Sequence, residues 1–259
     1  MTGALVVIPA RYGSTRFPGK PLKLLAGVPI VLRTLRNAQR ARITAKAIVA
    51  TDDERIVDVV RAAGGSAVMT SPDCSNGTKR VIEAVKKLSC DPYDVIVNVQ
   101  GDEPLINPDH IDRAMSVLTE MNHDDTTTAD VGTIAVRIEA EEDVTNPDTV
   151  KCVVNARNEV MYFSRAPIPF QRSGNQDLKT GRAKYLRHLG IYAFSREFLT
   201  EKIPQMAPSG LEMTEMLEQL TWLYCGAKIK VGLVNQAAHG VDTQEDLDKL
   251  EEHLSSRKT

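Results

Sequence analysis

Residues 5–22 read LVVIPARYGSTRFPGKPL, and this stretch decides how the chain should fold. Residues 5–10 form a short apolar run, as expected for a strand that is buried on both faces of a sheet. The loop that follows at once carries three cations, two glycines and two hydroxyl groups. In open α/β sheets, ligands bind in the loops at the carboxyl ends of the strands. The stretch therefore predicts a buried strand followed by an anion-binding loop.

The rest of the first half alternates between strand and helix patterns. Thr51 or Asp52 is predicted to cap the second helix, and Gly64 with Gly65 to end it. This alternation is typical of an α/β fold with a mostly parallel, Rossmann-like sheet flanked by helices. The predicted strands are 5–10, 46–50, 66–69 and 94–99, and the predicted helices are 29–41, 51–63, 78–88 and 107–118.

The pattern becomes β-rich after about residue 122. Residues 123–130 predict a polar loop and 171–183 a mobile one. Residues 211–224 predict a single amphipathic helix. We predict one domain over residues 1–259 with a β-rich insertion at 122–185. The remaining predicted elements are strands in 131–138, 150–163 (a hairpin that turns at 155–158), 185–194 and 229–234, with no helix between the first two, and a last helix at 243–254.

Composition places the chain among ordinary soluble globular proteins. It has 259 residues, 25% charged and 42% hydrophobic, and a formal net charge of −2. Such a charge gives no general attraction to nucleic acid or to anionic membranes, so neither is an expected partner. The first apolar run is too short for a secretory signal, and no stretch approaches a membrane span. Four scattered cysteines without a CxxC pair predict a reduced, cytoplasmic setting.

Three loops carry the candidate chemistry. The first, 9–22, is not a Walker A loop, because five residues separate Gly13 from Gly19 and Pro21 follows Lys20. A lone basic loop is more often simply solvated, but its place after the first strand favours triphosphate binding. The second, 98–104, and the third, 240–242, each contain an aspartate that could bind Mg²⁺, which takes one or two carboxylates plus phosphate oxygens. Taken alone, either aspartate would more often belong to a turn or a helix N-terminus.

Eight segments together resemble the family of CMP-Kdo synthetases, in which Kdo is 3-deoxy-manno-octulosonate. The first, PARYGSTRFPGKPL at 9–22, is a close match to the N-terminal signature of that family. The others follow in the family order and cover nearly the whole chain. They are VATDDERI (49–56), NGTKR (76–80), NVQGDEPLI (98–106), YFSRAPIPF (162–170), KYLRHLGIYAF (184–194), LEMTEMLEQL (211–220) and GVDTQEDL (240–247).

The resemblance implies a cytoplasmic, homodimeric transferase that joins CTP to a Kdo-like acid, for lipopolysaccharide synthesis, and releases pyrophosphate. It implies that Arg11, Lys20 and Asp102 are catalytic, and that Asp102 and Asp242 bind the Mg²⁺ cofactor. The residues that it implies for nucleotide binding are Ala10, Arg11, Ser14, Arg16, Lys20, Asn76, Gly77, Thr78, Arg80 and Gln100.

The resemblance also implies a sugar site, with the insertion at 122–185 contributing to it and to dimer contacts. Without the resemblance, His188 would be a core histidine, Arg165 a surface arginine, and Glu215 and Gln219 parts of a solvated helix face. The residues implied for sugar binding are Gln100, Arg165, Tyr185, His188, Glu215 and Gln219.

Three positions depart from the usual family pattern. Asn76 stands where many members have Ser, Lys79 where they have an acid, and Cys74 where a His often occurs. Two other functions stay open: a cytidylyltransferase for a related acid such as 8-amino-Kdo or sialic acid, and a non-catalytic nucleotide-binding protein. The presence of both Asp102 and Asp242 favours an enzyme, because a pure binder would not need two metal ligands.

Overall fold

The computed structural model describes residues 3–13, 17–88, 93–120, 129–172, 185–237 and 240–256. The chain divides into two compact units, Met1–Asp112 with Ala238–Thr259, and Arg113–Ala237. The predicted loops at 123–130 and 171–183 lie mostly outside the described residues. No described helix is long and apolar enough to cross a membrane.

The first unit contains the predicted alternation of strands and helices. Its parallel sheet has the strand order β6-β1-β4-β5. Every residue of β1 is buried, and Val7 pairs with Ile48 on one side and Asn98 on the other. The elements are β1 (Ala4–Ala10), a 3-10 turn (Lys20–Leu22), β2 (Leu24–Leu25), β3 (Val28–Pro29), α1 (Ile30–Gln39), β4 (Thr44–Thr51), α2 (Glu54–Ala62), β5 (Ser66–Met69), α3 (Gly77–Lys87), β6 (Val95–Asn98) and α4 (Pro108–Thr119), whose last residues belong to the second unit.

The cap of α2 corrects one prediction. Asp53, rather than Thr51 or Asp52, caps the helix by accepting the backbone N–H of Arg55 at 3.0 Å. The cap lies one residue after Asp52 and two after Thr51, so the carboxylate of Asp52 is left free of the capping role. Gly64 ends the helix as predicted, in the left-handed conformation (φ +77°) that glycine adopts without strain.

The second unit is built on a mixed sheet. Strand β10 is antiparallel to β7 and β8, β11 is parallel to β7, and β8 forms a hairpin with β9. The hairpin turns through Asn158 in the left-handed conformation, φ +58°. The elements are β7 (Val131–Arg137), α5 (Glu141–Thr145), β8 (Lys151–Val154), β9 (Val160–Ser164), β10 (Leu186–Ser195), a π-helical turn (Phe198–Lys202), a 3-10 turn (Ile203–Gln205), α6 (Gly210–Glu215), α7 (Gln219–Tyr224) and β11 (Ile229–Val234); α8 (Gln244–Ser256) then returns to the first unit.

The predicted fold class, a mostly parallel α/β sheet flanked by helices with added β structure, is confirmed. The prediction that no helix lies between β7 and β8 was wrong, because α5 lies there. That helix has only five residues, too few for an amphipathic period to appear in the sequence. Three acidic residues in its first turn stabilise its N-terminal dipole.

The single helix predicted at 211–224 was also wrong. It is two short helices, α6 and α7, separated at Met216, which has φ +54°. The break separates the apolar side chains that a straight helix would have placed on one face. Leu217 and Leu220 are buried, whereas Met213 and Met216 are 65% and 76% exposed. Hydrophobic spacing alone does not reveal such a change of direction.

Candidate active site

A cavity of about 340 Å³ lies in the first unit, beside the carboxyl ends of β1 and β6 and the N-terminus of α3. This is the strand edge at which the sequence predicted a ligand site. Of the predicted residues, Ser14 and Arg16 lie outside the described residues, and Thr78 is buried. Nine others line the cavity: Ala10, Arg11, Lys20, Asn76, Gly77, Arg80, Gln100, Asp102 and Asp242.

Lys20 joins the two candidate metal ligands. Its ammonium Nζ lies 2.7 Å from Asp102 Oδ2 and 3.0 Å from Asp242 Oδ1. The exposed fractions of these side chains are 12% for the lysine, 34% for Asp102 and 49% for Asp242. The two carboxylates are therefore close together, and the lysine offsets one of their two negative charges. The remaining charge favours a further cation at this point.

Asp242 does not cap the helix that follows it. The N-cap of α8 is Thr243, whose hydroxyl accepts the backbone N–H of Asp246 at 3.2 Å. Asp246 in turn accepts the backbone N–H groups of Asp242 and Thr243, both at 2.9 Å, which is a reciprocal capping arrangement. Because the cap is supplied by these neighbours, the side chain of Asp242 is directed to Lys20 instead.

One glycine, Gly101, allows the loops around the cavity to approach one another. A Cβ at Gly101 would lie 2.6 Å from the carbonyl oxygen of Pro9, a distance that real side chains do not adopt. At Gly77, in contrast, a Cβ would make only an ordinary van der Waals contact, 3.4 Å from Pro9 Cγ. Gly77 is also the first residue of α3, and Asn76 caps that helix by accepting the backbone N–H of Lys79 at 2.8 Å. The positive end of the α3 dipole therefore lies at the cavity and favours an anion there.

Arg80 lies in the wall of the cavity with its guanidinium already paired. The side chain is 3% exposed and donates to Asp52 Oδ2 at 2.9 Å and to Thr70 Oγ1 at 2.7 Å. A further hydrogen bond runs to the backbone oxygen of Ser71. Arg11, in contrast, is exposed beside the cavity. Of these two predicted nucleotide contacts, Arg11 is the one whose side chain is solvent-accessible.

Cys74 lies at the edge of the cavity as a neutral thiol. Its Sγ is 3.2 Å from Glu83 Oε2. Burial, together with the hydrogen bond to that carboxylate, raises the pKa of the Cys74 thiol. A neutral thiol adds no charge to the site, so the departure at this position leaves the local electrostatics to Lys20, Arg11 and the two aspartates.

The predicted sugar-site residues other than Gln100 belong to the second unit, where Arg165 and Glu215 form one polar cluster. Arg165 Nε donates to the backbone oxygen of Glu215 at 2.7 Å, and Nη1 to that of Pro147 at 2.8 Å. The carboxylate of Glu215 accepts from the hydroxyl of Ser164 at 2.6 Å and from the backbone N–H of Arg165 at 2.8 Å. The cluster fixes the end of β9 against the end of α6.

The other three predicted sugar-site residues are buried. Tyr185 and Gln219 are 5% and 3% exposed. His188 is 8% exposed, contacts Thr133 Oγ1 through Nε2 at 3.0 Å, and packs its ring against Phe163 and Tyr192. Burial lowers the pKa of His188 to about 3, so its imidazole is neutral at physiological pH. A neutral buried ring is the core histidine that the strand pattern alone indicated.

Sequence reasoning missed two groups of residues around these clusters. Asp52 and Tyr12 connect the end of β4 to the first loop, with the N–H of Tyr12 3.3 Å from Asp52 Oδ1. The adjacent acids at 52 and 53 were a usable signal, because a helix needs only one of them as its cap. Lys151 is fully buried and donates to the backbone oxygens of Asn146, Thr149 and Arg165. No sequence signal marks it, since a strand lysine is ordinarily solvated.

Comparison with known proteins identifies the family of the chain. A family model described as cytidylyltransferase matches residues 5–229. The 3-deoxy-manno-octulosonate cytidylyltransferase of Bdellovibrio bacteriovorus is 45% identical over 251 residues, which is 97% of each chain. The chain belongs to the family of 3-deoxy-manno-octulosonate cytidylyltransferases. The mitochondrial 3-deoxy-manno-octulosonate cytidylyltransferase of Arabidopsis thaliana is 43% identical over 97% of this chain and 83% of its own length.

One solved structure extends the family assignment to three dimensions. It is a CMP:2-keto-3-deoxy-manno-octonic acid synthetase complexed with CTP, 38% identical, with a TM-score of 0.88. The alignment covers 98% of this chain and 99% of that one. The eight segments that carried the sequence resemblance therefore belong to a chain that matches the family along its whole length.

Proposed function

We propose that this chain is a magnesium-dependent cytidylyltransferase. It would transfer CMP from CTP to 3-deoxy-manno-octulosonate and release pyrophosphate, as a step towards lipopolysaccharide. The observation that carries the proposal is the convergence of Lys20, Asp102 and Asp242, from three separate loops, on one cavity in a chain of this family. The alternative of a non-catalytic binder gives no reason for two carboxylates to converge there.

The residues present fit a magnesium ion. Two carboxylates lie within hydrogen-bond reach of a single ammonium group, so a cation between them has oxygen donors on two sides. Among the described residues there is no cluster of three or more His, Cys, Asp or Glu side chains that could hold a metal by itself. Mg²⁺ commonly takes one or two carboxylates and completes its shell with substrate phosphates and water. When bound, it would neutralise triphosphate charge and polarise the α-phosphoryl group.

The reaction is an in-line displacement at phosphorus. The anomeric C2 hydroxyl of the sugar acid attacks the α-phosphorus of CTP and loses its proton to water. The bond between that phosphorus and the pyrophosphate oxygen breaks, and pyrophosphate leaves. Negative charge grows on the leaving pyrophosphate, and we propose that Lys20 and the exposed Arg11 oppose it. Loss of one such electrostatic contact typically costs about 10²-fold in rate. The N-terminus of α3 at Gly77 adds a fixed partial positive charge.

We assign the sugar acid to the motif residues of the second unit, among which Arg165 would meet the substrate carboxylate. Arg165 keeps its guanidinium oriented through two backbone oxygens, which leaves its other N–H groups to a ligand. Tyr185, His188 and Gln219 are buried, so we propose that they shape the wall of this site.

We also propose a cytoplasmic homodimer. The second unit exposes large apolar side chains that a monomer would leave in water; Met161, Phe170, Met213, Met216 and Tyr224 are between 65% and 87% exposed. Contiguous exposed apolar surface commonly marks protein interfaces, and we propose that these side chains lie at the dimer contact. The three described cysteines, Cys74, Cys152 and Cys225, form no disulfide, in keeping with a reducing compartment.

Pyrophosphate release from a substrate panel tests the proposal. We expect release only when CTP, Mg²⁺ and 3-deoxy-manno-octulosonate are all present. Lys20→Met should lower its rate by about 10²-fold or more. Lys23→Met, which replaces an exposed lysine three residues further along the chain, should leave the rate unchanged. Equal turnover with ATP or GTP would disprove the cytidine assignment, and preference for 8-amino-Kdo or a sialic acid would change the acceptor.

A further inference from the structure

We propose that Asp52 is a positioning residue for the loop that follows β1, acting through Tyr12. This inference rests on the proposed function, since it concerns how Arg11 and Lys20 are held for the triphosphate. Asp52 is not among the described residues that line the cavity. Any effect on the reaction must therefore pass through the residues that it binds.

Asp52 is itself held by a buried arginine, Arg80. Its Oδ2 accepts from Arg80 Nη2 at 2.9 Å, and the two side chains are 15% and 3% exposed. Arg80 is fixed in turn by Thr70 and by the backbone oxygen of Ser71. An arginine with several hydrogen bonds in a buried place has little freedom to move. Asp52 is therefore a rigid point at the end of β4.

The other carboxylate oxygen of Asp52 reaches the loop. Oδ1 accepts the backbone N–H of Tyr12 at 3.3 Å. This hydrogen bond joins the end of β4 to the residue that directly follows Arg11. The contact spans 40 residues of sequence. Because Tyr12 lies just after β1, the hydrogen bond fixes the point at which the loop leaves the sheet.

Tyr12 also closes the loop at its base. Its backbone oxygen accepts the N–H of Gly19 at 3.0 Å, so the two ends of the segment 12–19 are hydrogen-bonded to each other. Gly19 has φ +70°, and a Cβ there would lie 3.2 Å from the Tyr12 ring. Arg55 covers the ring with its guanidinium carbon 3.5 Å from the centroid, and Asp53 holds that guanidinium at 2.8 and 2.6 Å.

The two candidate catalytic cations flank this closure. Arg11 precedes Tyr12, and Lys20 follows Gly19. A shift of the closure would move both cations together relative to the triphosphate, and a misplacement of about 1 Å can cost about 10²-fold in rate. An ion pair with no positioning role would instead contribute to stability alone. The two cases differ in whether the KM for CTP changes when the ion pair between Asp52 and Arg80 is weakened.

Asp52→Asn tests the proposal, with Asp58→Asn as the matched control. Asp58 is an exposed aspartate of α2, so the control makes the same chemical change on the helix that follows Asp52. We expect Asp52→Asn to raise the KM for CTP at least tenfold while the KM for the sugar acid stays within twofold. The control should leave both unchanged. General loss of folding would raise neither KM selectively.

A second measurement does not depend on turnover. Hydrogen exchange of the Tyr12 and Gly19 amides, without CTP, reports directly on the two hydrogen bonds that close the loop. We expect exchange at both amides to rise at least tenfold in Asp52→Asn. Tyr12→Ala should reproduce the raised KM for CTP, and Tyr12→Phe, which keeps the ring, should recover much of the loss.

The results separate this proposal from the proposed function. If Asp52→Asn lowers the unfolding temperature but leaves amide exchange and the KM for CTP unchanged, the positioning role is wrong. If the wild-type protein binds no CTP, yet exchange at Tyr12 and Gly19 rises in the variant, the proposed function fails while the control of the loop by Asp52 stands.

Discussion

Two clusters of charged side chains, one in each unit, use their charges in opposite ways. In the cavity of the first unit, Lys20 pairs with Asp102 and Asp242, and all three side chains keep some exposure to water. In the second unit, the fully buried Lys151 donates to three backbone oxygens, and Arg165 donates to two more. One cluster joins charge to charge, and the other joins charge to backbone oxygens.

This difference predicts where substitutions act. A partly hydrated ion pair contributes little to the free energy of folding, typically about 0–1 kcal/mol. Each of its members can therefore leave its partner and bind a ligand instead. A buried donor that satisfies backbone oxygens cannot be removed cheaply, because each orphaned acceptor costs about 1–3 kcal/mol. Substitutions in the first cluster should therefore change turnover, and substitution of the buried Lys151 should change stability.

The largest effect is expected at Lys20. Lys20→Met should lower turnover by about 10²-fold or more, because it removes the ammonium that opposes charge on the leaving pyrophosphate. The free energy of unfolding should change by less than about 1 kcal/mol, as for other partly exposed pairs. Steady-state kinetics and urea unfolding measure the two quantities. Near-normal turnover would make Lys20 an ordinary solvated loop lysine.

The two aspartates should show the next largest effect. Asp102→Asn or Asp242→Asn keeps the size of the side chain and removes one charge, so each should lose most turnover, about tenfold or more, and weaken the dependence on Mg²⁺. Stability should hardly change, since Thr243 and Asp246 supply the cap of α8.

Titration of turnover against Mg²⁺ concentration checks these two variants. Asp248→Asn, on the exposed surface of α8, is the matched control and should behave like the wild type. Wild-type curves for both active-site variants would remove the metal assignment.

A substitution at Lys151 tests the second cluster, where we expect a loss of stability. Lys151→Met orphans buried backbone oxygens, so it should reduce the free energy of unfolding by about 1–3 kcal/mol. Lys202→Met is the control, because that lysine is 50% exposed and its ion pairs are long, at 3.4 and 3.7 Å. Urea unfolding compares the two variants. Equal stabilities would mean that the buried lysine does not hold the second cluster together.

The effect expected at His188 appears only as a pH dependence. Burial lowers the pKa of the folded-state imidazole to about 3, whereas in the unfolded chain it is about 6.5. Between these values only the unfolded chain binds the proton, so stability is complete above about pH 6.5 and falls by up to about 1.4 kcal/mol per unit as the pH drops.

His188→Gln removes the proton-binding group and keeps a side-chain N–H that can bond Thr133. Between pH 7 and pH 5, the variant should therefore lose less stability than the wild type does. Urea unfolding at both pH values supplies the comparison, and equal losses would place the imidazole in contact with water.

Local sequence signals were sufficient for most of the first unit. The apolar run at β1, the capping and terminating residues of its helices, and the loop composition after the strands all depend on neighbours in the chain. Such patterns predicted the parallel sheet and the strand edge that carries the cavity. They failed at the N-cap of α2, where Asp53 took the role expected of Thr51 or Asp52. All three residues can cap a helix, and the backbone that follows decides which of them does.

What the sequence determined by itself is therefore the fold class, the family and the strand edge that bears the site. Only the tertiary structure decided the pairing within the site. Lys20 meets Asp102 across 82 residues and Asp242 across 222, and Asp52 meets Tyr12 and Arg80 across 40 and 28. Hydrophobic periods and caps act over a few residues. Which charges become neighbours depends instead on how the strands assemble, and so does whether His188 is buried or solvated.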